Sequence, residues 1–129
     1  ACCDINEKKA KEYSELFGFE RYYTDIDEML KKENPDAVTL IVPVELTADL
    51  SKKIMEKGYP LLMEKPPALT GKEAEKLIEC AEINEVPNQA AFNRRFNPLI
   101  RYLKELIKEE EINDEIIQNL RYDFYIIKN

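Results

Sequence analysis

A chain of 129 residues, 44% hydrophobic and 35% charged, is long enough to bury a core of its own and has the balance of a globular protein in water. Its net charge of −7 argues against nucleic acid or an anionic membrane as the main partner, and no apolar run approaches the roughly 20 residues of a membrane-spanning helix. Cys2, Cys3 and Cys80 have neither metal-ligand spacing nor the layout of a disulfide framework, so no metal site is expected, and reduced thiols in a cytoplasm are the plain reading.

The chain opens on "ACCD", which reads as the close of a strand running into a helix. Residues 6–17 follow with helical spacing, Ala10, Tyr13 and Phe17 on one face, and Gly18 as a stop. Asp25 with Glu28 resembles a capping box for a short helix through Lys32, ended by Asn34-Pro35. "AVTLIV", residues 37–42, is a nearly continuous β-branched run, the mark of a strand covered on both faces. Leu46, Leu50 and Ile54 then recur every four residues in a helix closed by Gly58. Leu61 to Met63 reads as a second buried strand, and Thr70 with Glu73 as a capping box for a helix that turns Ala74, Leu77, Ile78 and Ala81 inward. "VPNQAAFN", residues 86–93, is a weaker strand.

Strands alternating with helices of this length predict an α/β fold, a partial Rossmann-type parallel sheet with flanking helices. Such sheets carry their working residues at the carboxyl ends of strands, where Glu64 and Lys65 close "LLMEKPP". After Asn93 the pattern changes. Asn97-Pro98 starts a helix with Leu99, Ile100, Leu103, Leu106 and Ile107 in a broad stripe. Residues 116–127 alternate as a half-solvated strand. A terminal strand without a partner is marginal in water, so self-association through residues 116–127 is expected, as a dimer or larger homo-oligomer. Both ends of the chain read as cut.

These pieces together resemble the Gfo/Idh/MocA family of NAD(P)-dependent oxidoreductases: "CDIN…KA", "PDAVTLIVP", "LLMEKPPALT…EAEKLIECA" and "NRRFNP", in that order. The resemblance implies that residues 1–93 are the later part of a dinucleotide-binding domain. Residues 94–129 would then open an α+β substrate and oligomerisation domain with its first helix and strand. It implies NAD, or NADP, as cofactor, and hydride transfer to or from a sugar, inositol or related polyol. Asp4 falls where the family bonds the adenosine ribose, a position at which an acid favours NAD; it also reads as a helix cap. Pro43, Asn93 and Arg94 fall beside the nicotinamide. Glu64 and Lys65 match the family's EKP, in which the lysine approaches nicotinamide and substrate, so Lys65 is the one catalytic candidate. By residue type alone a strand-end lysine such as Lys65 is more often a solvated charge, and Glu64 more often orients Lys65 or caps backbone groups than does chemistry.

Three departures qualify the match. Gly18, Gly58 and Gly71 are the only glycines and cannot form a G-x-G-x-x-G phosphate loop. No histidine exists in the chain to act as acid or base. Thr47 in "PVELT" stands where the family's P-x-x-x-H has its histidine. These residues alone are therefore expected to be inactive, and the alternative is a non-catalytic, self-associating structural module.

Overall fold

The computed structural model describes residues 1–109, and the alternating segment 116–127 lies outside them. Two compact units divide the chain, Ala1–Ala91 and Phe92–Asn129. In the first, strands and helices alternate: β1 (Cys2–Cys3), α1 (Glu7–Phe17), β2 (Tyr22–Tyr23), α2 (Ile26–Glu33), β3 (Val38–Leu40), α3 (Val44–Met55), β4 (Leu61–Met63), α4 (Gly71–Ile83) and β5 (Asn88–Ala90). The described part of the second holds a 3-10 turn, Asn93–Phe96, and α5 (Pro98–Glu109). Every strand pairing is parallel, β1 with β2 in one sheet and β3–β4–β5 in another. The α/β class with parallel sheets and flanking helices stands as the sequence predicts.

Local chemistry starts and stops the helices. Asp25 accepts the Glu28 amide at 2.7 Å, and Asn34 ends α2 in the left-handed region. Thr70 and Glu73 form the full capping box, the Thr70 hydroxyl accepting the Glu73 amide and the Glu73 carboxylate accepting the Thr70 amide, both at 3.2 Å. Gly18, at φ 72°, returns its amide to the Ser14 carbonyl and closes α1.

The core lies on one side of β3–β4. Leu30 of α2, Val38, Leu40, Ile54, Met55, Leu61, Met63, Leu77, Cys80, Ala81 and Val86 form one buried cluster. Lys53 of α3 pairs with Asp27 of α2 at 2.6 Å, and the Tyr59 hydroxyl donates to the Leu30 carbonyl at 3.2 Å, which ties α2 to the helix-and-strand layer beside it.

Several predicted faces are corrected. β3 and β4 are not buried on both sides: Thr39 is exposed, and Ile41 and Leu62 are 74% and 41% exposed. In α1 the buried pair is Ala10 and Ser14, while Tyr13 and Phe17 stack on each other at the surface. In α3 the buried stripe is Thr47, Ser51, Ile54 and Met55; Leu46 is exposed. In α4 Leu77, Cys80 and Ala81 turn inward and Ile78 stays out. In α1 and α3 small hydroxyl residues, Ser14, Thr47 and Ser51, take buried positions beside large apolar residues that stay at the surface.

β2 was not anticipated from the sequence. Its Tyr23 is buried, and the phenol donates to the Glu33 carboxylate, which also accepts Arg21 Nη2 at 2.8 Å. The Tyr23 hydrogen bond, then Arg21, hold the Glu33 carboxyl below its ordinary range. A carboxyl whose pKa is lower folded than unfolded stabilises above the unfolded value, about 4.3, and that stabilisation fades as pH falls through the folded value. Melting temperature should therefore drop between about pH 6 and about pH 3, and Glu33→Gln should show a smaller drop over the same interval. Equal drops in the two proteins would remove Glu33 as a source of the acid sensitivity.

Candidate active site at the strand ends

Parallel strands joined through single helices present all their carboxyl ends at one edge. β1 is followed by Asp4, β3 by Ile41 to Pro43 and β4 by Glu64-Lys65.

Asp4 is half-buried. Its amide donates to the Tyr23 carbonyl at 3.1 Å, continuing the β1–β2 ladder, and its Oδ1 accepts the Asn6 amide at 2.8 Å. The helix cap is Asn6, whose side chain accepts the Lys9 amide at 3.2 Å. Capping is thus done two residues beyond Asp4. Asn at that position is as good a cap as Asp, and that signal was available in the sequence. Asp4 keeps a second carboxylate oxygen without a hydrogen bond among the described residues. Next to it, burial first and then Asp25 and Asp4 push the Cys3 thiol pKa up, so Cys3 stays protonated and is a poor nucleophile.

Pro43 is exposed and precedes α3; its carbonyl accepts the Leu46 amide at 2.9 Å. The same carbonyl accepts the Thr47 hydroxyl at 3.3 Å, and Thr47 is only 2% exposed. Where the resemblance led to a histidine, this chain has a buried hydroxyl folded back on its own helix.

The amide of Glu64 donates to the Leu40 carbonyl at 3.1 Å, so β4 stays paired with β3 up to the charged pair. Glu64 Oε2 accepts the Lys65 amide at 3.0 Å, a backbone cap of the kind its residue type allows. Lys65 is exposed, and its ammonium has no ion pair among the described residues. The Lys65–Pro66 peptide is cis, which the sequence left open. Asn93 and Arg94 belong to the second unit, exposed in the 3-10 turn, where the Arg94 carbonyl accepts the Asn97 amide at 3.0 Å. Glu64 and Lys65 are therefore adjacent at the end of β4, Pro43 stands at the end of the neighbouring β3, and Asp4 closes β1 in the other sheet of the same unit.

No group of acids and cysteines among the described residues could hold a metal ion, and no described helix is long and apolar enough to cross a membrane.

Comparison with known proteins agrees with this layout. The family model described as an oxidoreductase family with an NAD-binding Rossmann fold matches residues 1–92. The levoglucosan dehydrogenase of Pseudarthrobacter phenanthrenivorans is 28% identical over 109 residues, 84% of this chain and 28% of that protein. The myo-inositol 2-dehydrogenase of Thermotoga maritima is 28% identical over 112 residues, 87% of this chain and 34% of its own length. Among solved structures, a probable dehydrogenase from Thermotoga maritima superposes with a TM-score of 0.76 at 27% identity, over 85% of this chain and 33% of that one. The WlbA dehydrogenase of Chromobacterium violaceum, solved with NADH and UDP-GlcNAcA, superposes at 0.78 with 25% identity, over 84% and 31%. The chain thus spans about a third or less of the proteins it matches. With a Rossmann layout ending in Asp4, Pro43 and Glu64-Lys65, and a family match over residues 1–92, the chain belongs to the Gfo/Idh/MocA family of NAD-binding oxidoreductases.

Proposed function

We propose that this chain forms the later part of the dinucleotide-binding domain of an enzyme that moves a hydride between NAD(P) and a sugar, inositol or related polyol. The observation that carries the reading is the row of strand carboxyl ends, with Asp4 on β1 and Glu64-Lys65 on β4. The half-buried Asp4, with one carboxylate oxygen uncommitted, suits a ribose diol, which offers two hydroxyl donors. A 2′-phosphate at that carboxylate would meet like charge, which favours NAD over NADP. Glu64 fixes the backbone of Lys65, leaving the ammonium exposed to orient a substrate hydroxyl or assist its proton transfer. Pro43, Asn93 and Arg94 are assigned to the nicotinamide side of the site.

NAD supplies the hydride acceptor or donor. Residues 1–129 supply no glycine-rich turn for its pyrophosphate: Gly18 caps α1 and Gly58 sits in the turn after α3, both at positive φ. Weak binding and no turnover are the expectation for these residues by themselves. Calorimetric titration with NAD tests the assignment. Binding at a millimolar or tighter constant is expected, and Asp4→Ala should weaken it roughly tenfold to hundredfold, the worth of charge-assisted hydrogen bonds. NADP should bind less well than NAD. Undetectable NAD binding would favour the non-catalytic module instead, and equal binding by Asp4→Ala would remove Asp4 from the site.

A further inference from the structure

The described part of the second unit runs against the charge of the chain. Overall there are 26 acidic residues against 19 basic ones, yet residues 93–105 carry Arg94, Arg95, Arg101 and Lys104 against a single carboxylate, Glu105. Arg95, Arg101 and Lys104 converge with Phe96 on one cleft of about 680 Å³, the size of a small-molecule site. Glu105 does not line that cleft, and none of the three lining cations has a carboxylate partner among the described residues.

Local backbone bonding holds the three cations together. The Phe92 carbonyl accepts the Arg95 amide at 3.2 Å and the Arg94 carbonyl accepts the Asn97 amide at 3.0 Å, which closes the 3-10 turn. The Asn97 carbonyl then accepts the Arg101 amide at 3.0 Å, and Asn97 Oδ1 accepts the Leu99 amide at 2.9 Å, so the turn runs directly into α5. Arg101 and Lys104, three residues apart on α5, stand on one face of the helix. The Arg95 guanidinium lies 5.9 Å from the centroid of the Phe92 ring, a contact that restricts an otherwise long and mobile side chain. Phe96, 60% exposed, adds an apolar wall beside the cations. Gathering like charges costs energy unless an anion is set among them, and guanidinium forks match the oxygens of a phosphate.

We propose that this cleft binds the phosphate of a small phosphate ester. Arg95 and Arg101 serve as forked donors, Lys104 as a third point charge, and Phe96 lies against the organic part of the ester. The size of the ligand follows from the charge balance. A nucleic acid or an acidic membrane extends over the surface and meets the chain's net charge of −7. A single phosphate in the cleft responds mainly to charges within a Debye length, about 8 Å at physiological salt, and its nearest ones are Arg95, Arg101 and Lys104. Every residue of the site belongs to the second unit, so its test is separate from that of the NAD assignment.

NMR of backbone amides and arginine side-chain N–H groups tests this on the whole chain, with ionic strength held constant by sodium chloride. The probes are inorganic phosphate, ribose 5-phosphate, uridine monophosphate and the uncharged polyol myo-inositol. Inorganic phosphate should shift the Arg95 and Arg101 side-chain signals saturably with a millimolar constant, and myo-inositol should leave them in place. The double variant Arg101→Gln with Lys104→Gln should weaken phosphate binding by about tenfold or more, the loss expected for charge-assisted hydrogen bonds, whereas Lys76→Gln on exposed α4 surface should not change it. Phe96→Ala should weaken the esters and spare inorganic phosphate. Tighter binding of uridine monophosphate than of ribose 5-phosphate would support the site with a nucleotide as its ligand, and the reverse order would support it with a sugar phosphate. Two results overturn the proposal. One is the absence of saturable shifts at Arg95 and Arg101 with every phosphate probe. The other is a loss in Lys76→Gln equal to that in the double variant, which would mean general attraction to surface charge.

Discussion

Ile54→Ala is expected to destabilise the first unit by about 2–5 kcal/mol, while Leu46→Ala, two turns earlier on the same helix, should shift stability by less than about 0.5 kcal/mol. The contrast follows from burial. Ile54 and Met55 are fully enclosed, and Ile54 belongs to the cluster with Leu30, Leu40, Leu61 and Leu77. Truncation there removes transfer free energy and leaves a cavity that α3, pinned between α4 and the β3–β4 sheet, closes only in part. Leu46 is 48% exposed and lies outside that cluster. Urea denaturation reads the difference: the Ile54→Ala midpoint should fall sharply with an unchanged slope, and that of Leu46→Ala should stay near the parent. Domains of this size hold only about 5–15 kcal/mol in all, so the upper end of the range would leave a measurable unfolded fraction in water. Equal effects at the two positions would mean that the every-fourth leucine pattern, rather than the Thr47–Ser51–Ile54–Met55 stripe, faces the core.

Thr47→His, which writes the family's residue into "PVELT", should cost about 2–6 kcal/mol. Two terms add. A ring far larger than the threonine side chain must enter a position 2% exposed, and overpacking of that kind costs about 1–3 kcal/mol. The hydroxyl bond to the Pro43 carbonyl at 3.3 Å is lost, and a buried imidazole nitrogen needs a new partner, about 1–3 kcal/mol more if none is found. Thr47→Ser keeps the hydroxyl, removes one methyl and should cost about 1 kcal/mol. The same urea series measures all three proteins. A Thr47→His variant as stable as the parent would show that the ring escapes into the crevice at the strand ends, where it could meet a substrate.

Both predictions turn on positions at which the apolar pattern and the structure part company. Leu46, Tyr13, Phe17 and Ile78 are large apolar residues at helical spacing, and all four are at the surface. Thr47, Ser51 and Ser14 are polar, and all three are buried. Periodicity marks the stripe to within a residue or two, but a hydroxyl that bonds back to its own helix, as Thr47 does, enters a core almost as easily as an apolar group. β2 went unread because two exposed-looking tyrosines carry no alternation; it becomes a strand through pairing with Cys2 and Cys3, about twenty residues away.

At the strand ends the sequence was more legible. The positions of Glu64 and Lys65 follow from where the apolar run Leu61 to Met63 stops, whereas Asp4 and Pro43 are singled out by the family resemblance; Asp4 and Glu64 directly follow β1 and β4. What each carboxylate does locally was not legible. The sequence offers Asp4 as a ribose ligand or a helix cap, and only the fold, which spends Asp4 Oδ1 on the Asn6 amide and makes Asn6 the cap of α1 through the Lys9 amide, separates the two.

The sequence by itself determined the order of the strands and helices apart from β2, the helix stops at Gly18 and Asn34, the helix start at Thr70, and the parallel class of the sheet. Those features rest on interactions within a few residues: a side chain reaching an amide three positions on, a glycine accepting positive φ, a helix too long to permit a hairpin. The tertiary structure alone decided which face of each helix is buried, that β3 and β4 are covered on one side, and that the strands fall into two sheets under one helix. Those outcomes depend on which distant segment arrives at each surface, and burial is a property of that encounter rather than of either segment.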